Sequence, residues 1–97
     1  MFRLEFTPEA LEDLRFLRTY DQRRILDSIQ EQLRHQPGQE TRNRKRLRPN
    51  ELAEWELRIA TFRVFYDVDE ENDLVKIEAV GYKQGNVLFV HGEEYEL

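Results

Sequence analysis

Trp55-Glu56-Leu57-Arg58-Ile59 and, two residues on, Phe62-Arg63-Val64-Phe65-Tyr66-Asp67-Val68 decide the fold of this chain. In the first stretch Trp55, Leu57 and Ile59 alternate with Glu56 and Arg58. In the second, Phe62, Val64, Tyr66 and Val68 alternate with Arg63, Phe65 and Asp67. Strict alternation is the period of a strand that lays one face on a core. Asp69-Glu70-Glu71-Asn72-Asp73 reads as a turn, and Leu74 to Val80 is a third run rich in branched residues. Short links join the three runs into a meander. Asn86 to Val90 adds a short strand that His91-Gly92 ends.

Towards the N-terminus the period changes. Phe2, Leu4 and Phe6 alternate with Arg3 and Glu5, which gives one more short strand. Thr7-Pro8-Glu9 then opens a helix, with Thr7 as cap, Pro8 in the first turn and Glu9 complementing the dipole. Leu11, Leu14 and Leu17 form its apolar stripe. The pattern breaks at Thr19-Tyr20, Asp21 is expected to cap a second helix, and Ile25, Leu26, Ile29 and Leu33 are its apolar face. His35-Gln36-Pro37-Gly38 stops it, with His35 meeting the helix dipole. So short a link between two helices predicts a helical hairpin. Residues 39–52 are polar and basic and read as a loop.

The resulting order is β-α-α-β-β-β, an α+β fold with the N-terminal hairpin on one face of a small antiparallel sheet. Leu14, Ile29, Trp55, Leu57, Val64 and Ile77 are the expected core. With the alternation fixed, the pleat turns Glu56, Arg58, Arg63 and Phe65 to the helix-free face, and Lys83 joins them at the end of the last long strand.

Composition narrows the function. Ninety-seven residues make a single domain, 1–97. With 39% hydrophobic and 36% charged residues, and Trp, Tyr and Phe making up 11%, the chain is polar but has the large side chains of a folded core. There is no cysteine, hence no disulfide and no thiolate metal site. No run approaches the roughly 20 apolar residues of a membrane span, and Met1-Phe2-Arg3-Leu4-Glu5 lacks the apolar run of a signal peptide. A soluble, cytoplasmic protein is expected. The net charge of -5 hides an asymmetry, because Arg42, Arg44, Lys45, Arg46 and Arg48 fall within seven residues. A basic run of that density reads as a nucleic-acid contact or as a solvated loop offsetting an acidic body. The acidic total opposes non-specific association with a polyanion, so any such contact is local.

Trp55-Glu56-Leu57-Arg58, Phe62 to Val68 and Ala79-Val80-Gly81-Tyr82-Lys83 resemble the RelE/ParE toxins. The shared pattern is W-x-L-R, a short gap, R-V-x-Y-x-V, and a last strand ending V-G-x-K/R. The order of elements is similar too, so the resemblance covers nearly the whole chain. It implies the toxin of a type II toxin–antitoxin pair, inactive while a cognate antitoxin holds it. In the RelE branch it implies cleavage of messenger RNA, usually on the ribosome, with no metal or other cofactor. In the ParE branch it implies inhibition of DNA gyrase. A third possibility is a member that binds partners and has lost its site.

Strand cleavage by a ribose 2′-oxygen needs a base, cations at phosphorus and an acid for the leaving oxygen. The resemblance and the face assignment together give Arg63 as the cation of the transition state, Lys83 as its assistant and Glu56 as the candidate base. Arg42, Arg44, Lys45, Arg46, Arg48 and Arg58 are the expected RNA contacts. The chain departs from the family where some members carry a catalytic tyrosine: Phe89 stands there without a hydroxyl, leaving Tyr82 or His91 as candidate acids.

Overall fold

The computed structural model describes residues 1–97 as β1 (Arg3–Phe6), α1 (Pro8–Arg15), α2 (Thr19–Leu33), β2 (Arg44–Arg46), β3 (Trp55–Ile59), β4 (Phe62–Asp69), β5 (Leu74–Gln84), β6 (Val87–Val90) and β7 (Glu93–Glu94). The expected meander is β3, β4 and β5, paired antiparallel with Leu57 opposite Val64 and Val64 opposite Val80. The long strand β5 organises the sheet. One of its edges takes all of β4. The other edge is shared: β1 runs beside Leu74–Ile77, and β6 beside Tyr82–Gln84.

Both helices lie on one face, as expected. Ala10 and Leu14 of α1 and Ile25, Ile29 and Leu33 of α2 pack on Trp55, Leu57, Val64, Tyr66, Val75 and Ile77. All six expected core residues are buried. Thr7 caps α1 by accepting from the Ala10 N–H at 3.1 Å. Tyr66 shows how closely the helix side is fitted. Its ring stacks on Trp55, and its hydroxyl donates to the Pro37 carbonyl at 2.9 Å, satisfying a polar group that burial would otherwise leave without a partner. No helix is long and apolar enough to cross a membrane.

Several expectations are corrected. Strand β1 pairs parallel to β5, so the sheet is antiparallel except along that edge. Returning through two helices brings the chain back in the same direction, which a hairpin link could not do. The stretch 39–52 is not all loop, because Arg44–Arg46 pair with Leu57–Trp55 as an edge strand. His91-Gly92 ends the short strand as expected, but the chain turns there into a further strand, β7, which the sequence did not suggest. The second helix starts at Thr19 with Arg18 at its cap position, and Asp21 pairs with Arg18 at 3.4 Å instead of capping. Leu11 and Leu26 face solvent.

The largest correction concerns the helix-free face. Phe65 was expected to be open there beside Arg63, yet it is fully buried. It centres a second apolar cluster with Ala53, Ala79, Leu88 and Val90, against which Leu47, Leu52 and Tyr95 pack. Loop 47–53 and the segment after β7 cover this half of the face. Gly81 belongs to the same packing: a Cβ there would stand 2.5 Å from the Phe89 carbonyl oxygen, so only glycine lets β6 approach β5 this closely.

Candidate functional site

Cross-strand partners in an antiparallel pair share a face, so the register decides which charges meet. Lys45 stands opposite Glu56, and Glu56 opposite Phe65; Arg58 stands opposite Arg63, and Arg63 opposite Gly81. All lie on the helix-free side. There Lys45, Arg46, Arg48, Arg58 and Lys83 line one open hollow of about 630 Å³, with Glu56 among them. The cations come from β2, the loop after it, β3 and the end of β5, so the site exists only in the folded sheet.

Glu56, the candidate base, lies on the helix-free face as expected but is not open to solvent: its side chain is only 8% exposed, and its Oε2 accepts from Arg58 Nε at 3.1 Å. Half-exposed Arg58 thus covers the carboxylate from the solvent side. The Glu56 carboxylate is held by a single cation that is itself half exposed to solvent. Arg46 sits at the rim, its guanidinium 5.7 Å over the Trp55 ring and 4.0 Å from Glu54.

Other expected site residues lie elsewhere. The Arg63 guanidinium folds back on the β3–β4 turn, where one nitrogen donates to the carbonyls of Ala60 and Phe62, both at 2.9 Å, while Nε is buried without a partner. It does not line the hollow. Burial lowers its pKa, as Arg58 does more weakly, while the Glu56 carboxylate opposes both; it remains a cation. Arg42 is exposed and outside the hollow. Arg44 departs furthest from expectation. It is buried on the helix side, opposite Leu57, and one guanidinium nitrogen donates to the carbonyl of Gln32 at 2.6 Å and of His35 at 3.4 Å. It closes the C-terminus of α2, so it is His35's carbonyl rather than its ring that takes part there.

Neither candidate acid reaches the hollow. Tyr82 stacks on Phe89 with ring centroids 5.3 Å apart. The His91 ring bonds through Nδ1 to Asp13 Oδ1 at 2.9 Å, and Asp13 Oδ2 accepts from the Val80 N–H at 3.0 Å. Both line a small apolar cavity beside the end of α1.

Sequence reading missed two groupings. Tyr95 and Glu96 form part of the wall of the basic hollow. Asp67 and Glu78 stand together at a β-bulge between Phe65 and Tyr66. Burial and the adjoining Asp67 carboxylate raise the Glu78 pKa to about 7. The bulge turns Glu78 to the helix-free face together with Ala79, and no alternation pattern contains that information.

The fold and the sequence both match known proteins. Residues 4–86 match the model of the ParE toxin of the type II toxin–antitoxin system parDE. The structure is similar to a chain of the toxin–antitoxin complex RelBE2 from Mycobacterium tuberculosis, with TM-score 0.74 and 26% identity, covering 84% of this chain and 91% of that one. It is similar in fold to a chain of the intact Escherichia coli RelBE complex, with TM-score 0.68, 21% identity and coverage of 87% and 99%. The archaeal RelE–RelB complex from Pyrococcus horikoshii gives TM-score 0.68, 20% identity and coverage of 87% and 96%. No curated protein matches the chain. Two helices on one face of the sheet, the W-x-L-R and R-V-x-Y-x-V strands side by side, and a family match over most of the length lead to one conclusion: the chain belongs to the ParE toxin family, within the RelE/ParE superfamily of type II toxins.

Proposed function

We propose that this toxin is a metal-independent endoribonuclease of the cytoplasm that cleaves messenger RNA, on or off the ribosome, and is neutralised by a cognate antitoxin. The observation that carries the reading is the hollow in which Lys45, Arg46, Arg48, Arg58 and Lys83 surround a sheltered carboxylate, Glu56. The cations would hold the phosphate backbone, and guanidinium forks suit phosphate oxygens. As Arg58 turns from Glu56 to the scissile phosphate, the carboxylate is freed to take the 2′-hydroxyl proton. The 2′-oxygen then bonds to phosphorus and the bond to the 5′-oxygen breaks. Lys83 gives the leaving oxygen its proton, leaving a 2′,3′-cyclic phosphate and a 5′-hydroxyl. Arg58 and Lys83 stabilise the charge that develops on phosphorus, and Arg63, one strand away, adds its field.

The antitoxin is assigned to the same face, because a cationic surface attracts carboxylates. The similar structures are toxin–antitoxin complexes, which supports a protein partner here.

The test is cleavage of single-stranded RNA and of translated messages in the presence of EDTA. Glu56→Gln and Lys83→Ala should each lower the rate on the order of 100-fold with the fold retained, and Arg63→Ala should lower it by less, because Arg63 acts only through its field from outside the hollow. The family match to the parDE toxin favours one other reading, a gyrase inhibitor. That reading predicts intact RNA, inhibited supercoiling and DNA damage on induction. Association with an antitoxin without either activity would leave a binding-only member.

A further inference from the structure

The wall of the basic hollow opposite β2 is made by the chain's own acidic segment. Glu93, Glu94 and Glu96 fall within four residues, and Tyr95, Glu96 and Leu97 line the hollow together with Arg48, Arg58 and Lys83. The acidic side chains make no ion pair with those cations. The segment is therefore near the charges without being locked to them.

What holds it is a latch and a hinge. The latch is Tyr95: its ring packs on the second apolar cluster, and its N–H donates to the Leu88 carbonyl at 2.9 Å. Its hydroxyl has no hydrogen-bond partner, so the hold is the ring and one backbone bond. The hinge is His91-Gly92. Both residues adopt left-handed φ, 55° and 79°, the arrangement of a type I′ turn. A non-glycine residue there is strained, and the bond from the His91 ring to Asp13 of α1 fixes it. Beyond this hinge, and apart from the Tyr95 latch, only two residue pairs, Phe89 with Glu94 and Val90 with Glu93, tie the segment to the sheet. A short, exposed outer strand with one apolar anchor is the kind of unit that opens alone while the rest stays folded.

We propose that residues 92–97 are an autoinhibitory strap, latched by Tyr95 and hinged at His91-Gly92, which a polyanion displaces to occupy the basic hollow. The inference rests on the RNA reading for its natural ligand, but the strap itself is defined by any polyanion. Its carboxylates add negative charge at the mouth of a site built for phosphates, which lowers affinity while the strap is closed and not once it has swung away. Apparent affinity is the intrinsic affinity multiplied by the open fraction.

The latch can be removed without touching charge. Tyr95→Ala should release the strap, and Tyr95→Phe, which keeps the ring, should behave as the unaltered full chain. Inorganic polyphosphate and a labelled single-stranded RNA are the two probes, with hydrogen exchange at the Tyr95 amide as the readout of opening. Tyr95→Ala is expected to tighten polyphosphate binding about tenfold, the gain for a strap closed in about nine-tenths of molecules. Polyphosphate should also speed amide exchange at Tyr95 in the unaltered chain. Tighter polyphosphate binding with no RNA binding by either form would support the strap and refute the RNA reading. Unchanged polyphosphate affinity in a folded Tyr95→Ala chain, or full protection of the Tyr95 amide at saturating polyphosphate, would overturn the proposal. If Tyr95→Ala fails to fold, Gly92→Pro at the hinge is the second variant. It should release the strap because proline cannot adopt a positive φ, and the same two results decide.

Discussion

Glu78→Gln should make the protein more stable at pH 8 and nearly unchanged at pH 5. The wild-type carboxyl is displaced from 4.5 to about 7, first by burial and then by Asp67, with Glu9 adding and Lys76 opposing. The sign follows from proton linkage. Between pH 4.5 and 7 the folded chain retains a proton that the unfolded chain gives up, so stability falls as pH rises through that window. Above pH 7 the full penalty is present, and below 4.5 it vanishes. Glutamine cannot ionise, and its amide can donate to Asp67 where the protonated carboxyl did. The displacement sets an upper limit of about 3 kcal/mol. Glu78 is only half-buried, and solvent screening reduces this to about 1 kcal/mol. In a domain of this size that is a gain of roughly 4–8 °C in Tm at pH 8. Thermal unfolding followed by circular dichroism at pH 5 and pH 8 measures it. An equal Tm difference at both pH values, or a lower Tm for Glu78→Gln at pH 8, would refute the argument and return Glu78 to an ordinary surface carboxylate.

Gly81→Ala should cost about 1–3 kcal/mol, because the atom in the way is the backbone oxygen of Phe89 and not a mobile side chain; denaturant unfolding reads it, and a loss below 0.5 kcal/mol would show that β6 can move away. Tyr66→Phe should lose about 1–3 kcal/mol by leaving the Pro37 carbonyl buried without its donor, with no change in the helix content of the folded form. Arg44→Ala and Arg48→Ala separate structure from ligand binding. The first should lower Tm by releasing the end of α2 and leave the salt slope of RNA binding unchanged. The second should leave Tm in place and reduce that slope by about one counterion. The opposite pattern in fluorescence anisotropy would exchange their roles.

The sequence by itself determined the layers and their faces. Period-two alternation in Trp55–Ile59 and Phe62–Val68, against helical spacing at Leu14 and Ile25–Leu33, fixes which side chains must leave water, and burial follows from that alone. The same alternation put Glu56, Arg58 and Lys83 on the helix-free side, where they meet in one hollow. Tertiary structure decided what local pattern does not encode. Whether β1 joins parallel depends on where two helices return the chain. Arg44 and Arg48 look alike in a basic run, yet strand register turns Arg44 to the α2 carbonyls and leaves Arg48 at the hollow. Phe65 reads as an exposed residue on an open face and is buried, because Leu88, Val90 and Tyr95 come from more than twenty residues away to cover it. Glu78 needs a bulge to reach Asp67. Periodicity tells each side chain which face of its own element it occupies; only the packing of distant elements tells it what it will find there.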